Sequence, residues 1–154
     1  MSDLSFDIKT TKDFFKILLD DHKEFSANRT SSRHALHCSI LAWHMTEWAN
    51  KEFEPKLSKN EFRKIVLQQC SSLEIMRDLA NGTKHYQLTR ENSLVKRTEL
   101  HRGVFSKEFS REFDTSHLKI TLGDGTKIYF EDEIKKVISF WTKYLESTLN
   151  IIIT

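Results

Sequence analysis

SKNEFRKIVLQQCSSLEIMRDLANG, residues 58–82, carries the clearest helix signal in the chain. Ser58 followed three positions later by Glu61 is a capping box, which satisfies free backbone N–H groups at the start of a helix. Apolar side chains then recur at helical spacing, at Phe62, Ile65, Val66, Leu73, Met76 and Ala80. Asn81-Gly82 is typical of a left-handed helix end. The pattern predicts one long helix over the whole stretch.

The first and last helices of the chain are predicted by similar signals. Thr10 with Asp13 three positions later forms a second capping box, and an apolar face then continues to about residue 28. Asp132 opens the last helix. Its apolar face consists of Ile134, Ile138, Trp141, Leu145 and Leu149. Both helices should bury these faces against the rest of a bundle.

Another helix is predicted between the first helix and residue 58. Ser31 or Ser32 can cap it, and Pro55 ends it near Phe53, because the residue before a proline is pushed out of the helical region. The chain then has three antiparallel helices joined by short loops, and a fourth near its C-terminus. We therefore expect a mainly α fold, an up-and-down four-helix bundle.

Residues 83–130 break the helical pattern. Periodicity is lost over 83–116, which predicts an irregular or partly extended basic segment with a strand placed around 104–113. Residues 117–122 then alternate between polar and apolar, a Gly-Asp-Gly turn follows, and 126–130 return. This pattern predicts a small antiparallel β-hairpin of two or three strands, inserted before the last helix.

Bulk properties limit the class of protein. With 154 residues, 38% of them hydrophobic, and only four Gly and one Pro, the chain suits one helical domain spanning 1–154. It shows no secretory signal and no membrane-spanning run, so we expect a cytoplasmic protein without a membrane partner. It also lacks a glycine-rich phosphate loop, a GxSxG elbow and an HExxH motif, which argues against the common kinase and hydrolase chemistries.

The cysteines and neighbouring histidines do not predict a metal site. Cys38 and Cys70 fall in helical patterns without a CxxC partner, which favours buried, reduced thiols. His34 and Cys38 are one helical turn apart, but no second ligand pair accompanies them. No bound metal or other cofactor is therefore expected.

One segment has the residue types that RNA cleavage needs. Residues 77–86 read RDLANGTKHY. RNA cleavage requires a base for the 2′-hydroxyl proton, an acid for the leaving oxygen and a cation for the phosphorane charge. His85 can transfer protons, and Arg77 or Lys84 can stabilise the charge, without a metal ion. The structural alternative is a helix end whose exposed carbonyls are stabilised by Lys84 and His85.

The segment resembles the catalytic motif of HEPN-domain ribonucleases, small helical bundles of toxin–antitoxin and antiviral systems. Arg77, Asp78, His85 and Tyr86 occupy the matching positions, with seven residues between Arg77 and His85, a longer spacing than is usual in the family. The resemblance implies a metal-independent endoribonuclease of a toxin or phage-defence type. It also implies a homodimer whose two motifs share one cleft, and a cognate protein partner. Asp78, Asn81 and Tyr86 would position the catalytic pair.

A basic stretch follows this motif. Between residues 84 and 111 there are seven Lys or Arg and three Glu, so the local charge is 7 − 3 = +4 in a chain of +2. The predicted RNA-binding residues are Lys84, Arg90, Lys96, Arg97 and Arg102. Phe105 and Phe109 can stack on bases, or can form a short amphipathic helix with Phe113. The alternative function is a non-catalytic helical module that binds a protein or nucleic acid through this stretch.

The predicted second helix also carries a stripe of large and polar side chains. Trp43, His44 and Glu47 recur at helical spacing, which indicates core packing, or a pocket that supports the Arg77 segment. A carboxylate on such a face needs a partner. Arg77 and His85 are the expected partners of Glu47.

Overall fold

The structure, a computed structural model, describes residues 3–86, 93–106 and 108–153. They form five helices and one antiparallel sheet, so the mainly helical class with a small sheet is confirmed. The helices are α1 (Thr11–Ala27), α2 (Ser32–Phe53), α3 (Lys59–Gln69), α4 (Ser72–His85) and α5 (Phe130–Leu149). The strands are β1 (Val95–His101), β2 (His117–Leu122) and β3 (Lys127–Tyr129), in the order β1-β2-β3.

Local sequence signals fix where the first three helices begin. Thr10 and Ser58 each accept a hydrogen bond from the backbone N–H three positions later, and the acidic residue there accepts one from the cap backbone. Both predicted capping boxes are confirmed. Ser31 caps α2 in the same way, with its hydroxyl 3.2 Å from the backbone nitrogen of His34. α2 ends at Phe53, as Pro55 predicts.

Residues 58–82 form parts of two helices, so the prediction of one long helix is wrong. α3 ends at Gln69, and Cys70 takes an extended conformation with φ −143° and ψ 94°. α4 then starts at Ser72, whose hydroxyl lies 3.1 Å from a carboxylate oxygen of Glu133 in α5. Ser71 makes no side-chain capping bond, so the hydrogen bond from Ser72 to α5 is the side-chain contact that the serine pair contributes at this break.

The end of α4 also differs from the prediction. Asn81 and Gly82 lie inside the helix, and the residue with a positive φ is Tyr86, with φ 65° and ψ −50°. Outside the adjoining residues and the helix's own backbone, no atom lies within 4 Å of the position that a Cβ at Gly82 would take. The buried residues of α4 end at Ala80, and the helix continues beyond them to His85.

The sheet before the last helix has three strands, within the two or three predicted. β1 pairs antiparallel with β2, from Val95 opposite Leu122 to His101 opposite His117. β1 therefore lies inside the segment predicted to be irregular or partly extended, but not at the position given for its strand. The strand placed around 104–113 is wrong, because the pairing described there is one isolated bridge, between Phe105 and Thr115. α5 begins at Phe130, two residues before the predicted start.

α2 is the central helix and packs against each of the other four helices. Trp141 of α5 is fully buried, with its indole nitrogen 3.3 Å from the carbonyl oxygen of Ala42 in α2. Cys38 and Cys70 are buried free thiols, and burial raises the pKa of Cys38 to about 12. None of the described helices is both long enough and apolar enough to cross a membrane.

Candidate nucleic-acid-binding cleft

The two predicted catalytic residues lie apart on α4. Arg77 and His85 are eight positions apart in the helix, which places them about 12 Å apart along its axis. The Arg77 side chain is 11% exposed, with Nη2 2.9 Å from Glu74 and Nε 3.3 Å from Asp78. One chain therefore holds Arg77 between two carboxylates, away from the exposed imidazole of His85.

Asp78 joins α4 to the sheet. Its carboxylate is buried and accepts hydrogen bonds from the backbone nitrogens of Leu94, at 2.7 Å, and Val95, at 3.0 Å. The third donor is Arg77. A buried carboxylate with three donors is well satisfied, and these bonds fasten the start of β1 onto α4.

The other motif residues occupy two different surroundings. His85 and Tyr86 are exposed at the end of α4, and Tyr86 is 92% exposed. Asn81 and Lys84, in contrast, line a cleft between α2, α3 and α4. Helical spacing places them on the same stripe as Arg77. Asn81 and Lys84 can therefore contact a ligand that binds in this cleft.

The cleft has a volume of about 420 Å³ and is lined by polar groups from three helices. They are His44 and Glu47 of α2, Lys59 and Arg63 of α3, and Asn81, Thr83 and Lys84 of α4. Three cations face one carboxylate among the described lining residues, so with neutral His44 the net charge is 3 − 1 = +2. A positive concavity of this kind attracts phosphate groups.

Arg63 is held in a defined orientation at this cleft. Its guanidinium carbon lies 4.3 Å from the ring centroid of Trp43. Nε donates to the hydroxyl of Thr46 at 2.9 Å, and Nη2 donates to Glu47 at 3.2 Å. These two bonds use two of the five guanidinium N–H groups, so Arg63 has further donors for a ligand.

Glu47 finds its partners inside the cleft. Its Oε1 is 3.2 Å from Nη2 of Arg63 and 3.3 Å from Nζ of Lys59, so the expected pairing with Arg77 or His85 is wrong. Burial raises the pKa of Glu47, but the hydrogen bond from Lys59 and the nearby positive charges outweigh burial. The pKa therefore lies below its usual value, and the carboxylate is charged at neutral pH.

His44 is the exposed imidazole of the cleft lining. Partial burial lowers its pKa; Glu47 opposes this shift, and the charges of Arg63 and Lys84 lower the pKa further. The imidazole is therefore neutral at pH 7, and a neutral imidazole is a competent proton acceptor. Sequence reasoning assigned His44 to a packing stripe, because its cationic neighbours come from other helices.

The basic stretch after α4 is not one positive surface. Arg97 pairs with Glu99, and Arg111 pairs with Asp132 at 2.6 Å, so these two charges are neutralised locally. The other predicted RNA-binding residues are Lys84 in the cleft, Lys96 and Arg102 exposed on and just after β1, and Arg90, which lies outside the described residues.

Three phenylalanines in this stretch form an exposed aromatic cluster. The ring centroids of Phe105, Phe109 and Phe113 lie 4.9 to 5.8 Å apart. Each ring is between 39% and 51% exposed. None of the described residues of 105–113 is helical, so the short amphipathic helix predicted from their spacing is wrong. The three rings contact one another.

The histidines of α2 near its start are engaged with α1. His34 lies 3.1 Å from Glu24, and His37 lies 3.9 Å from Asp21. Within residues 3–86, 93–106 and 108–153, no group of three or more His, Cys, Asp or Glu side chains could hold a metal ion.

Known proteins add no further assignment. No protein family, curated protein or solved structure matches the chain. A functional assignment therefore rests on the α4 motif and on the geometry of the cleft.

Proposed function

We propose that the protein is a metal-independent, HEPN-like endoribonuclease whose RNA-binding site is the cleft between α2, α3 and α4. The observation that carries this proposal is an accessible imidazole, His44, in one cleft with the oriented cation Arg63 and the motif residue Lys84. These are the proton acceptor and the positive charges that RNA cleavage requires.

The chemistry follows from these positions. Arg63 and Lys84 bind the scissile phosphate and stabilise the negative charge that grows on it. His44 accepts the proton of the 2′-hydroxyl, the 2′-oxygen attacks phosphorus, and the 5′-oxygen leaves with a proton from solvent. The products are a 2′,3′-cyclic phosphate and a 5′-hydroxyl end.

The resemblance also supports a role for a second copy of the chain. The resemblance implies a second arrangement, in which Arg77 and His85 rather than His44 carry out the reaction. Because Arg77 and His85 lie about 12 Å apart along one helix, that arrangement needs motifs from two chains. The resemblance is also the basis for proposing a homodimer, a cognate protein partner and a toxin or phage-defence setting.

The test is cleavage of a labelled RNA oligomer in EDTA by wild type, His44→Ala and His85→Ala. Both imidazoles are exposed, so both variants should keep the wild-type circular dichroism and melting curve. Loss of cleavage in His44→Ala, with activity kept in His85→Ala, is the expected result. The reverse would return the chemistry to the predicted α4 residue. RNA binding without any cleavage would favour the non-catalytic module.

A further inference from the structure

Glu47 is the one carboxylate in the described lining of the cleft, and it lies between two cations. A single oxygen, Oε1, accepts from Nη2 of Arg63 and from Nζ of Lys59. These two donors are one helical turn apart on α3. Glu47 thus presents to them what a phosphate oxygen would present: one negatively charged acceptor.

The contacts of Glu47 are loose for an ion pair. The two distances are 3.2 and 3.3 Å, against about 2.7–2.9 Å for a strong charge-assisted hydrogen bond. The Glu47 side chain is 39% exposed and that of Lys59 is 50% exposed, so water and salt compete with the pairing. A carboxylate held in this way can be displaced by an anion that carries more charge or engages more donors.

We infer that Glu47 is a built-in competitor of the ligand, occupying in the free protein the place that an RNA phosphate takes between Arg63 and Lys59. The identification of the ligand as RNA rests on the proposed function. The inference adds a selection rule: a lone monovalent anion gains little by replacing Glu47. An RNA backbone, which also reaches Lys84, gains more because it neutralises several cations at once.

Removing the charge of Glu47 tests this directly, with inorganic phosphate as the probe. Phosphate affinity is measured by NMR titration for wild type, Glu47→Gln and Asp20→Asn. The glutamine keeps an oxygen that can accept from Arg63. Asp20→Asn is the matched control, because it removes one exposed carboxylate of α1 outside the cleft lining.

The expected result is about threefold to tenfold tighter phosphate binding in Glu47→Gln, the size of one removed charge a few ångströms away in water, with no change in Asp20→Asn. Equal or weaker binding in Glu47→Gln would overturn the inference and make Glu47 a positioning residue for Arg63. Absence of saturable phosphate binding in both wild type and Glu47→Gln would overturn the inference as well.

The outcome is separable from that of the proposed function. RNA cleavage by wild type, with unchanged phosphate affinity in Glu47→Gln, would contradict the role inferred for Glu47 and support the proposed ribonuclease activity. Tighter phosphate binding in Glu47→Gln, with no RNA cleavage by wild type, would support the role inferred for Glu47 and contradict the proposed ribonuclease activity.

Discussion

The Asp78 side chain joins α4 to the start of β1. It accepts hydrogen bonds from two backbone N–H groups at the start of β1 and from Arg77, and it is 2% exposed. A buried acceptor of this kind is expensive to remove, because its donors lose their partner without gaining water. The role follows from tertiary contacts with β1 and has no signature in the motif itself.

Asp78→Ala should therefore destabilise the protein by about 2–4 kcal/mol, measured by urea unfolding. The matched control is Glu74→Ala, which removes the other partner of Arg77. Glu74 is 37% exposed, so its loss should cost at most about 1 kcal/mol. Equal effects of the two substitutions would contradict the anchoring role of Asp78.

The pKa of His44 sets the expected pH dependence of RNA cleavage. Because its pKa is lowered from 6.5, the rate should stay constant at neutral pH and fall only at more acidic pH, as the imidazole gains a proton. Lys84→Ala removes one of the charges that lower this pKa, so the midpoint should move to higher pH. The measurement is kcat/KM against pH for both proteins, and an unmoved midpoint would count against His44 as the base.

At the element scale, α4 differs most clearly from the sequence pattern. Asn81-Gly82 looks like a helix end, yet both residues lie within the helix. Apolar periodicity also continues across the break at Cys70, because α3 and α4 both pack against α2. A periodic pattern reports which faces are buried. It does not report whether one helix or two present them.

Gly82→Ala distinguishes the two interpretations of this helix. Inside a helix with open space around the new methyl group, alanine should stabilise the protein by about 0.5–1 kcal/mol in urea unfolding. Gly125→Ala is the contrasting variant, since Gly125 has φ 89° and should lose stability on substitution. Destabilisation by Gly82→Ala would mean that the helix ends at this glycine.

For the whole molecule, the sequence predicted several features that depend on residues near one another in the chain. It did not predict the cleft, which depends on residues brought together by the fold. The capping boxes and the Pro55 stop depend on neighbours in sequence, and the structure confirms them. The cleft combines His44, Arg63 and Lys84 from three helices, a combination that no spacing encodes. Of the predicted site residues, only Asn81 and Lys84 lie in its described lining.

The HEPN-like proposal has one consequence for the assembled molecule. Two chains should associate in solution, giving a mass of twice 18.2 kDa in light scattering after size exclusion. The reason is that one chain does not bring Arg77 and His85 together. An RNA-cleaving monomer would rule out the arrangement in which Arg77 and His85 come from two chains, and would leave the reaction to the His44 cleft of a single chain.

The central claim is that RNA phosphate binds in the cleft between α2, α3 and α4. The most direct test is the affinity for a fluorescent single-stranded RNA oligomer, measured against salt for Lys84→Ala and Lys96→Ala. Both lysines are exposed, but only Lys84 lies in the described cleft lining. Lys84→Ala should weaken binding by about fivefold to tenfold and lower the salt slope by about one, with Lys96→Ala close to wild type. Weaker binding in Lys96→Ala, with Lys84→Ala unchanged, would contradict the claim and place RNA on the sheet.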